Sequence, residues 1–364
     1  MSDSFSAAKS LFLHGVAAFE AGNFAEAEQD LQASLALVPG RPSTLLNLGA
    51  VRLKLGRPAD AVAVLDESVA ADPAQPTAWA HRGAALMQLG RDADAITSFE
   101  RALGLEPRLA PAWSQLGQLL KDAGRWDEAR NAFERAIEHG ADAELNRYFL
   151  AAMNSGDAPP ASPHAYVRGL FDHYADDFEP HLLDVLHYRA HETVVQAAAA
   201  VCAAPVASAL DLGCGTGLCG PLLKPFCSRV DGVDLSPTML AAAGRRSVYD
   251  ALVEADVAEH LHTTPARYGL VVSTDVFIYV GNLDPVFAGV RRVLTAGGVF
   301  AFSVEVTEDS GYVLQPSMRY AHSEAYLRTL AASHGFEVLG IAPTVLREDQ
   351  QQPIAGLVVT LRAP

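Results

Sequence analysis

Three glycines and a nearby carboxylate form a spaced pattern in the second half of the chain that suits nucleoside binding. Residues 209–218 read Ala-Leu-Asp-Leu-Gly-Cys-Gly-Thr-Gly-Leu, so a short apolar run leads into Gly213, Gly215 and Gly217. Glycine allows positive φ and lets a ligand approach bare backbone, and the helix that follows offers unpaired N–H groups. Asp211 stands two residues before the first glycine. A carboxylate there would repel a pyrophosphate and would suit a ligand that carries an ammonium group.

Two more carboxylates follow at the ends of predicted strands. Asp234 comes 17 residues after Gly217, a spacing that places its carboxylate beside a ribose, where it accepts from both hydroxyls. Asp256 ends the next predicted strand, and the pair 274–275 falls at the end of the one after it. Ligands of parallel sheets bind outside the carboxyl ends of the strands, so these residues predict one site. A dinucleotide enzyme competes here, although its usual pattern is G-x-G-x-x-G rather than G-x-G-x-G.

The elements that must position these residues alternate along the chain. Strands are predicted at 206–212, 229–235, 252–257, 270–280 and 297–305, with a closing pair at 336–345 and 354–361. Helices are predicted between most of them. This order predicts a Rossmann-like α/β domain with a seven-stranded, mostly parallel sheet and an antiparallel hairpin at one edge.

The first third of the chain repeats with a period of 34 residues. Glycines recur at this interval, namely Gly15, Gly49, Gly83 and Gly117. Large apolar residues recur in step at Leu31, Leu65, Phe99 and Phe133. Each unit reads as a helical hairpin whose apolar side chains are buried only when the next hairpin stacks on it. The units span about 8–41, 42–75, 76–109 and 110–143, and residues 144–153 read as a capping helix.

This pattern resembles the tetratricopeptide repeat. The resemblance implies an α-helical solenoid whose concave face carries Leu13, Asn47, His81 and Gln115. Those residues are mostly polar and uncharged. The face therefore predicts a groove for a protein or peptide partner, with a homodimer interface or packing against the next domain as the alternative.

Residues 166–364 resemble a class I S-adenosylmethionine-dependent methyltransferase. The resemblance rests on the Asp-x-Gly-x-Gly-x-Gly loop, the two acidic strand ends and the Thr-x-Gly-Gly before the fifth strand. The order of the domains resembles the bacterial tetratricopeptide-repeat methyltransferases as a group. The cofactor implied is S-adenosylmethionine, with S-adenosylhomocysteine as the product. The cofactor-binding residues implied are Asp211, Gly213, Gly215, Gly217, Asp234, Leu235, Met239, Asp256, Val257 and Thr274.

The same resemblance implies lid helices at the start of the second domain. Tyr174, Phe178 and Tyr188 are the lid candidates, Arg189 is a carboxylate partner for the cofactor, and packing is the alternative role. The candidate catalytic residues are Asp275, Tyr279 and His322, with His173 and Arg347 as further candidates. The fourth strand ends in Ser-Thr-Asp-Val-Phe, which argues against adenine-N6 or glutamine-amide acceptors. The acceptor stays unidentified, either a small molecule or a group on a peptide or carrier.

The domains predicted are a repeat array over 1–153, a proline-rich linker over 154–165 and a methyltransferase domain over 166–364. A net charge of −16 disfavours nucleic acid and anionic membranes as partners. The four cysteines match no zinc or disulfide spacing, which predicts reduced thiols, no metal and a cytoplasmic location. A non-catalytic scaffold that binds S-adenosylmethionine is the alternative to an enzyme.

Overall fold

The computed structural model describes residues 2–153, 158–172, 179–203, 205–349 and 351–364. The chain divides after Leu150 into two compact units, each of which is described by itself. No helix among the described residues combines the length and the apolar character that crossing a bilayer requires.

The first unit is built from helical hairpins, as the 34-residue period predicts. Its helices are Ser2–Glu20, Phe24–Leu37, Pro42–Lys54, Pro58–Ala71, Pro76–Gln88, Asp92–Leu105, Ala110–Asp122, Trp126–Glu138 and Ala143–Met153. The turn inside a hairpin needs a residue with positive φ, and Gly56 supplies it with φ +69°. Proline at the first helical position, as at Pro58, begins the following helix, because its missing N–H has no partner there anyway.

Small residues let the two helices of each hairpin approach closely. A methyl group built on Gly117 would lie 2.6 Å from the ring of Phe133, which is fully buried. Gly83 faces the fully buried Phe99 in the same way. The Phe133 ring stacks in turn on Phe149, with the ring centroids 5.0 Å apart. The repeating glycines therefore make room for the repeating large residues, and the predicted solenoid architecture is confirmed.

The second unit is an α/β domain around one mixed sheet. Its strands are β1 (Val206–Leu212), β2 (Cys227–Asp234), β3 (Ala251–Glu254), β4 (Tyr268–Ser273), β5 (Leu294–Val306), β6 (Tyr312–Leu314), β7 (Tyr320–His322), β8 (Glu337–Asp349) and β9 (Gln352–Arg362). The order across the sheet is β3-β2-β1-β4-β5-β7-β6, and β9 pairs with both β5 and β8. The pairs β1–β2, β1–β4, β2–β3, β4–β5 and β5–β7 are parallel. The prediction of a mostly parallel sheet is thus confirmed.

Two details of the predicted sheet are wrong. The described residues form nine strands rather than seven, because β6 and β7 make an additional hairpin. Each of these strands has only three residues, too few to show a periodic pattern. The predicted fourth strand also runs too far. It ends at Ser273, since Asp275 adopts φ +59° and turns the chain into a single 3₁₀ turn at Phe277–Tyr279.

Helices cover both faces of the sheet. They are His164–Asp172, Ala190–Val201, Gly220–Leu223, Pro237–Arg245, Val257–Thr263, Asp284–Val293 and Glu324–Ser333, with a π-helical turn at His181–Val185. Successive strand residues point to opposite faces. Phe300 and Phe302 therefore pack with Phe287 in one buried cluster, whereas Val299 packs with Val194 in the other.

The described part of the predicted linker lies along the second unit. Ala161 forms an isolated bridge with Val280, and the Pro160 carbonyl accepts from the backbone N–H of Gly281 at 2.9 Å. The Tyr320 hydroxyl donates to the Pro159 carbonyl at 2.8 Å. These bonds hold residues 159–161 against the segment that follows β4 and against β7.

Candidate functional site

A cavity of about 370 Å³ opens where β1, β2 and β4 end. The structure brings many of the sequence-predicted residues to its walls. They are Tyr188, Gly213, Gly215, Asp234, Leu235, Met239, Asp256, Val257, Thr274, Asp275 and Tyr279. The parallel strands gather them because their carboxyl ends share one edge of the sheet. Their individual roles stay predictions.

Other predicted residues do not line this cavity. Asp211 is buried beneath the glycine loop, and Gly217 packs against the ring of Tyr249. The Arg189 side chain is 77% exposed and lies 3.9 Å from Glu192.

His322 is fully buried away from the cavity, and its Nε2 bonds with the carbonyls of Val280 and Gly281 at 3.0 Å. Both carbonyls can only accept, so Nε2 carries the hydrogen. Burial lowers the pKa of His322 to about 4. The remaining predicted residues, Tyr174, Phe178 and His173, lie outside the described residues.

Hydrogen bonds hold the glycine loop against the end of β2. The N–H groups of Gly213 and Cys214 donate to the Val233 carbonyl at 2.8 and 2.9 Å. The Gly215 N–H donates to Oδ2 of Asp234 at 2.8 Å, while the Ser236 N–H donates to Oδ1 at 2.9 Å. Two backbone donors thus fix the Asp234 carboxylate at the cavity wall.

Asp256 begins a helix and faces the cavity at the same time. Its Oδ1 accepts from the N–H groups of Ala258 and Glu259 at 2.9 and 3.0 Å, which makes it the N-cap of helix Val257–Thr263. Its Oδ2 lies 3.2 Å from Nε2 of His164, another residue of the cavity wall. The cap fixes the direction of the carboxylate, which leaves Oδ2 for the cavity side.

Asp211 is the most deeply buried carboxylate near the loop. Its Oδ2 accepts from the Tyr249 hydroxyl at 2.6 Å, whereas its Oδ1 has no hydrogen-bond partner within the described part of the chain. Burial raises the pKa of Asp211 to about 7. The hydrogen bond from Tyr249 opposes that rise, and the nearby charge of Asp234 adds to it. The sequence motif locates this carboxylate but gives no sign of its tyrosine partner.

Another part of the cavity wall is held by a buried ion network of Arg347, Asp275 and Glu305. Nη1 of Arg347 lies 2.6 Å from each oxygen of Asp275, and Nη2 bonds to Glu305. The Asp275 N–H donates to Oγ of Ser303 at 3.0 Å. Burial raises the pKa of Glu305, although the Arg347 charge opposes the rise. Sequence reasoning missed Glu305. The only signal for it is a charged residue within an otherwise apolar strand, and the sequence does not indicate which residue would pair with it.

Two tyrosines complete this part of the wall. Burial raises the pKa of Tyr279 to about 12, and the Arg319 guanidinium opposes the rise. Burial also raises the pKa of Tyr188, whose hydroxyl hydrogen bonds with the Thr274 side chain. Arg319 is itself paired with Asp349 at 3.0 Å. Both guanidiniums that line this part of the wall therefore already have carboxylate partners.

Comparison with known proteins identifies both parts of the chain. Residues 210–302 match the family model described as a methyltransferase domain. Residues 18–85 and 86–152 match the model of the tetratricopeptide repeat. The chain therefore contains tetratricopeptide repeats and a methyltransferase domain, and the two resemblances drawn from the sequence are confirmed.

Curated relatives are similar to part of the chain. A malonyl-[acyl-carrier protein] O-methyltransferase of Geobacter sulfurreducens is 33% identical over 38% of this chain and 52% of that protein. The protein of the same description from Hamiltonella defensa is 36% identical over 26% of this chain and 36% of that protein. The chain thus spans about half or less of these relatives. Among solved structures, 1,6-didemethyltoxoflavin-N1-methyltransferase of Burkholderia thailandensis is 21% identical, with a TM-score of 0.46 over 57% of this chain and 93% of that one.

Proposed function

We propose that the second unit transfers a methyl group from S-adenosylmethionine to an acceptor held in the same cavity. The observation that carries this proposal is the Asp234 carboxylate, which two backbone N–H groups hold at the cavity wall beside the glycine loop. A carboxylate held in this way can accept from both hydroxyls of a ribose. The match of residues 210–302 to the methyltransferase domain supports the same reaction class.

The residues present fit this cofactor. A cationic ligand suits a wall that includes Asp234 and Asp256. The charge of Asp211, whose Oδ1 has no partner among the residues described, favours an ammonium group close by. Leu235 and Met239 offer apolar surface for the adenine ring, and the Val257 N–H and Oδ2 of Asp256 offer it a donor and an acceptor. Thr274 lines the same wall. When bound, the cofactor supplies a methyl group on a sulfonium, which is a good leaving group.

The remaining task of the protein is to place the acceptor, because an activated methyl group mainly requires an aligned nucleophile. The Asp275 carboxylate lies at the cavity, and Arg347 contacts both of its oxygens. The carboxylate can therefore accept a hydrogen bond from the O–H or N–H group that is to be methylated. The Tyr279 side chain lines the same part of the wall. We assign Asp275 and Tyr279 to acceptor orientation. We give His322 no part in this orientation, since it is buried and does not line the cavity.

The acceptor is a small molecule or a group on a peptide or carrier. A carrier-borne acceptor is the case named for the curated relatives. The repeat unit would then supply a docking surface for the carrier or partner, or an interface for a second copy of the chain. The concave positions Leu13, Asn47, His81 and Gln115 are the candidates for that contact.

The cofactor assignment is tested by calorimetry with S-adenosylhomocysteine. Asp234→Ala should weaken binding at least about 100-fold, because two hydrogen bonds to a charged group are lost. Glu254→Gln is the matched control, since Glu254 ends the neighbouring strand β3, is paired with Arg168 and does not itself line the cavity. Unchanged affinity of the Asp234 variant would remove the basis of the proposal.

A non-catalytic scaffold is the second candidate. One observation favours it, namely that Arg347 engages both oxygens of the proposed acceptor-orienting residue Asp275. The full-length protein and its Asp275→Ala variant would be incubated with methyl-labelled S-adenosylmethionine and a cell extract. Label transfer that depends on Asp275 supports the enzyme. Tight cofactor binding without any transfer supports the scaffold.

A further inference from the structure

Tyr249 occupies a slot that three glycines leave open. It follows helix Pro237–Arg245, in a segment to which the sequence motifs assign no role. A methyl group built on Gly217, Gly220 or Gly232 would lie 2.9, 2.8 or 3.1 Å from a carbon of the Tyr249 ring. These glycines belong to the loop, to the start of the next helix and to β2. The ring therefore joins three elements that surround the proposed cofactor site.

The hydroxyl of this ring lies at the buried carboxylate. It donates to Oδ2 of Asp211 at 2.6 Å and accepts from the Gly220 N–H at 3.2 Å. Because the N–H points at the oxygen, the hydroxyl hydrogen is directed to the carboxylate. Asp211 is 1% exposed, and its Oδ1 has no partner in the part of the chain that the structure describes. One oxygen is thus fixed, and the other is a buried acceptor that these contacts leave unsatisfied.

The hydrogen bond from Tyr249 matters because the other titratable groups around Asp211 do not stabilise its negative charge. Among the described residues, the titratable groups besides Tyr249 that act on Asp211 or are acted on by it are Asp234, Cys214 and Cys219, and these bring no positive charge. A buried carboxylate with a single hydrogen bond is costly, so it needs a cation or a second donor. An ammonium group of a ligand provides both.

We infer that Tyr249 is a positioning residue, which holds the Asp211 carboxylate beneath the glycine loop so that the charge of this carboxylate attracts the ammonium group of S-adenosylmethionine. The inference rests on the proposed function and names the part of the cofactor that this pair recognises. Neither Tyr249 nor Asp211 lines the cavity, so Tyr249 acts through Asp211, and the charge of Asp211 acts on the ammonium group from beneath the glycine loop.

The test compares two ligands that differ in the amino-acid part. S-adenosylhomocysteine carries the ammonium group and 5′-methylthioadenosine lacks it. Tyr249→Phe keeps the ring in its slot and removes only the hydroxyl. We expect this variant to bind S-adenosylhomocysteine about 10-fold more weakly at pH 7 in calorimetry, the loss typical of one hydrogen bond to a charged group, and to bind methylthioadenosine as the wild type does.

The pH profile between 6 and 8.5 gives a second readout. Only the charged form of Asp211 attracts ammonium, so wild-type affinity for S-adenosylhomocysteine should rise as the pH passes about 7. Without the tyrosine hydrogen bond the pKa of Asp211 is higher, so the rise in the variant should come at higher pH. Asp211→Asn should bind weakly with a flat profile.

Tyr268→Phe is the matched control, because Tyr268 is a buried tyrosine that donates to Asp231 at 3.2 Å, and neither residue lines the cavity. It should leave both affinities unchanged. Equal loss of both ligands in Tyr249→Phe, or an unchanged affinity and pH profile, would overturn the inference while the proposed function stands. Failure of the wild type to bind S-adenosylhomocysteine would overturn the proposed function and the inference with it.

Discussion

Replacing Arg347 by methionine should destabilise the second unit strongly. The Arg347 side chain is 2% exposed and bridges Asp275 and Glu305, whose side chains are 17% and 4% exposed. Methionine has a similar length and fills much of the same space without the charge. The variant therefore leaves two carboxylates unpaired, one of them fully enclosed. Removal of one partner from a buried ion pair costs about 3–5 kcal/mol.

The expected loss for Arg347→Met lies near the lower end of that range, at about 3 kcal/mol. Asp275 faces the cavity and can be hydrated there, so the main cost comes from Glu305. In the variant the pKa of Glu305 rises further, above the value of about 4.3 in an unfolded chain. The folded state then binds more protons than the unfolded state, and stability falls as the pH rises. The loss should accordingly be larger at pH 8 than at pH 5.

The positions of the tryptophans allow the two units to be measured separately. Trp79, Trp113 and Trp126 all lie in the repeat unit, so tryptophan fluorescence during urea unfolding follows that unit. The second unit would be followed by amide hydrogen exchange in peptides from β5 and β8. Arg347→Met should accelerate exchange in these peptides and leave the fluorescence transition unchanged. Adding Glu305→Gln should recover part of the loss at pH 8, because it removes the unpaired charge.

Arg91→Met is the matched control. Arg91 pairs with Asp94 at 2.6 Å, but both side chains are about half exposed, and such a pair contributes about 0–1 kcal/mol. If Arg347→Met cost no more than this control, and equally at both pH values, the buried network would have no role in stability. The reasoning about Asp275 as a fixed acceptor-orienting group would then fail as well.

Three further outcomes are expected. Phe133→Ala removes a fully buried ring, so the tryptophan-detected transition should shift by about 3–5 kcal/mol, and a shift below 1 kcal/mol would contradict the packing described. Asp256→Ala loses the N-cap of helix Val257–Thr263 and should cost about 1 kcal/mol by hydrogen exchange in that helix, whereas Asp256→Asn should keep the cap. The pKa of His322 is about 4 in the folded protein against an ordinary 6.5. Between these pH values His322 is protonated in the unfolded chain and neutral in the folded protein. This histidine should therefore contribute a loss of about 3 kcal/mol between pH 6.5 and 4, which the raised pKa of Asp211 opposes in the wild type and in the variant alike. The stability of His322→Gln should accordingly differ from that of the wild type by about this amount across the interval, and equal slopes in an acid titration would disprove this.

The sequence predicts the features that depend on local spacing. The 34-residue period gives the helical hairpins, because each repeat places the same small residue opposite the same large one, as Gly117 does with Phe133. The loop at Gly213 and the carboxylates at Asp234 and Asp256 were located because turns and strand ends leave strong local signals. The parallel sheet follows from the alternation of strands and helices.

The features that the sequence does not reveal depend on contacts between distant residues. Arg347 lies 72 residues from Asp275 and 42 from Glu305, and no spacing rule links them. Tyr249 is 38 residues from Asp211, in a short segment without periodicity. His322 is the opposite case, in which the sequence suggests a function that burial does not favour. A histidine near a predicted strand end is a candidate catalytic residue, but the sequence does not show that this side chain is fully buried.

The late position of Arg347 in the chain bears on how the protein folds during synthesis. Asp275 and Glu305 leave the ribosome before the arginine that neutralises them, and 42 residues take about 2–8 s to translate. During that interval β5 also lacks β9, its antiparallel neighbour. Each repeat, in contrast, finds its partners within the next 34 residues or so. The repeat unit can therefore be folded while the second unit is still an incomplete sheet with two unpaired carboxylates, which makes this the stage when the nascent chain most needs protection from aggregation.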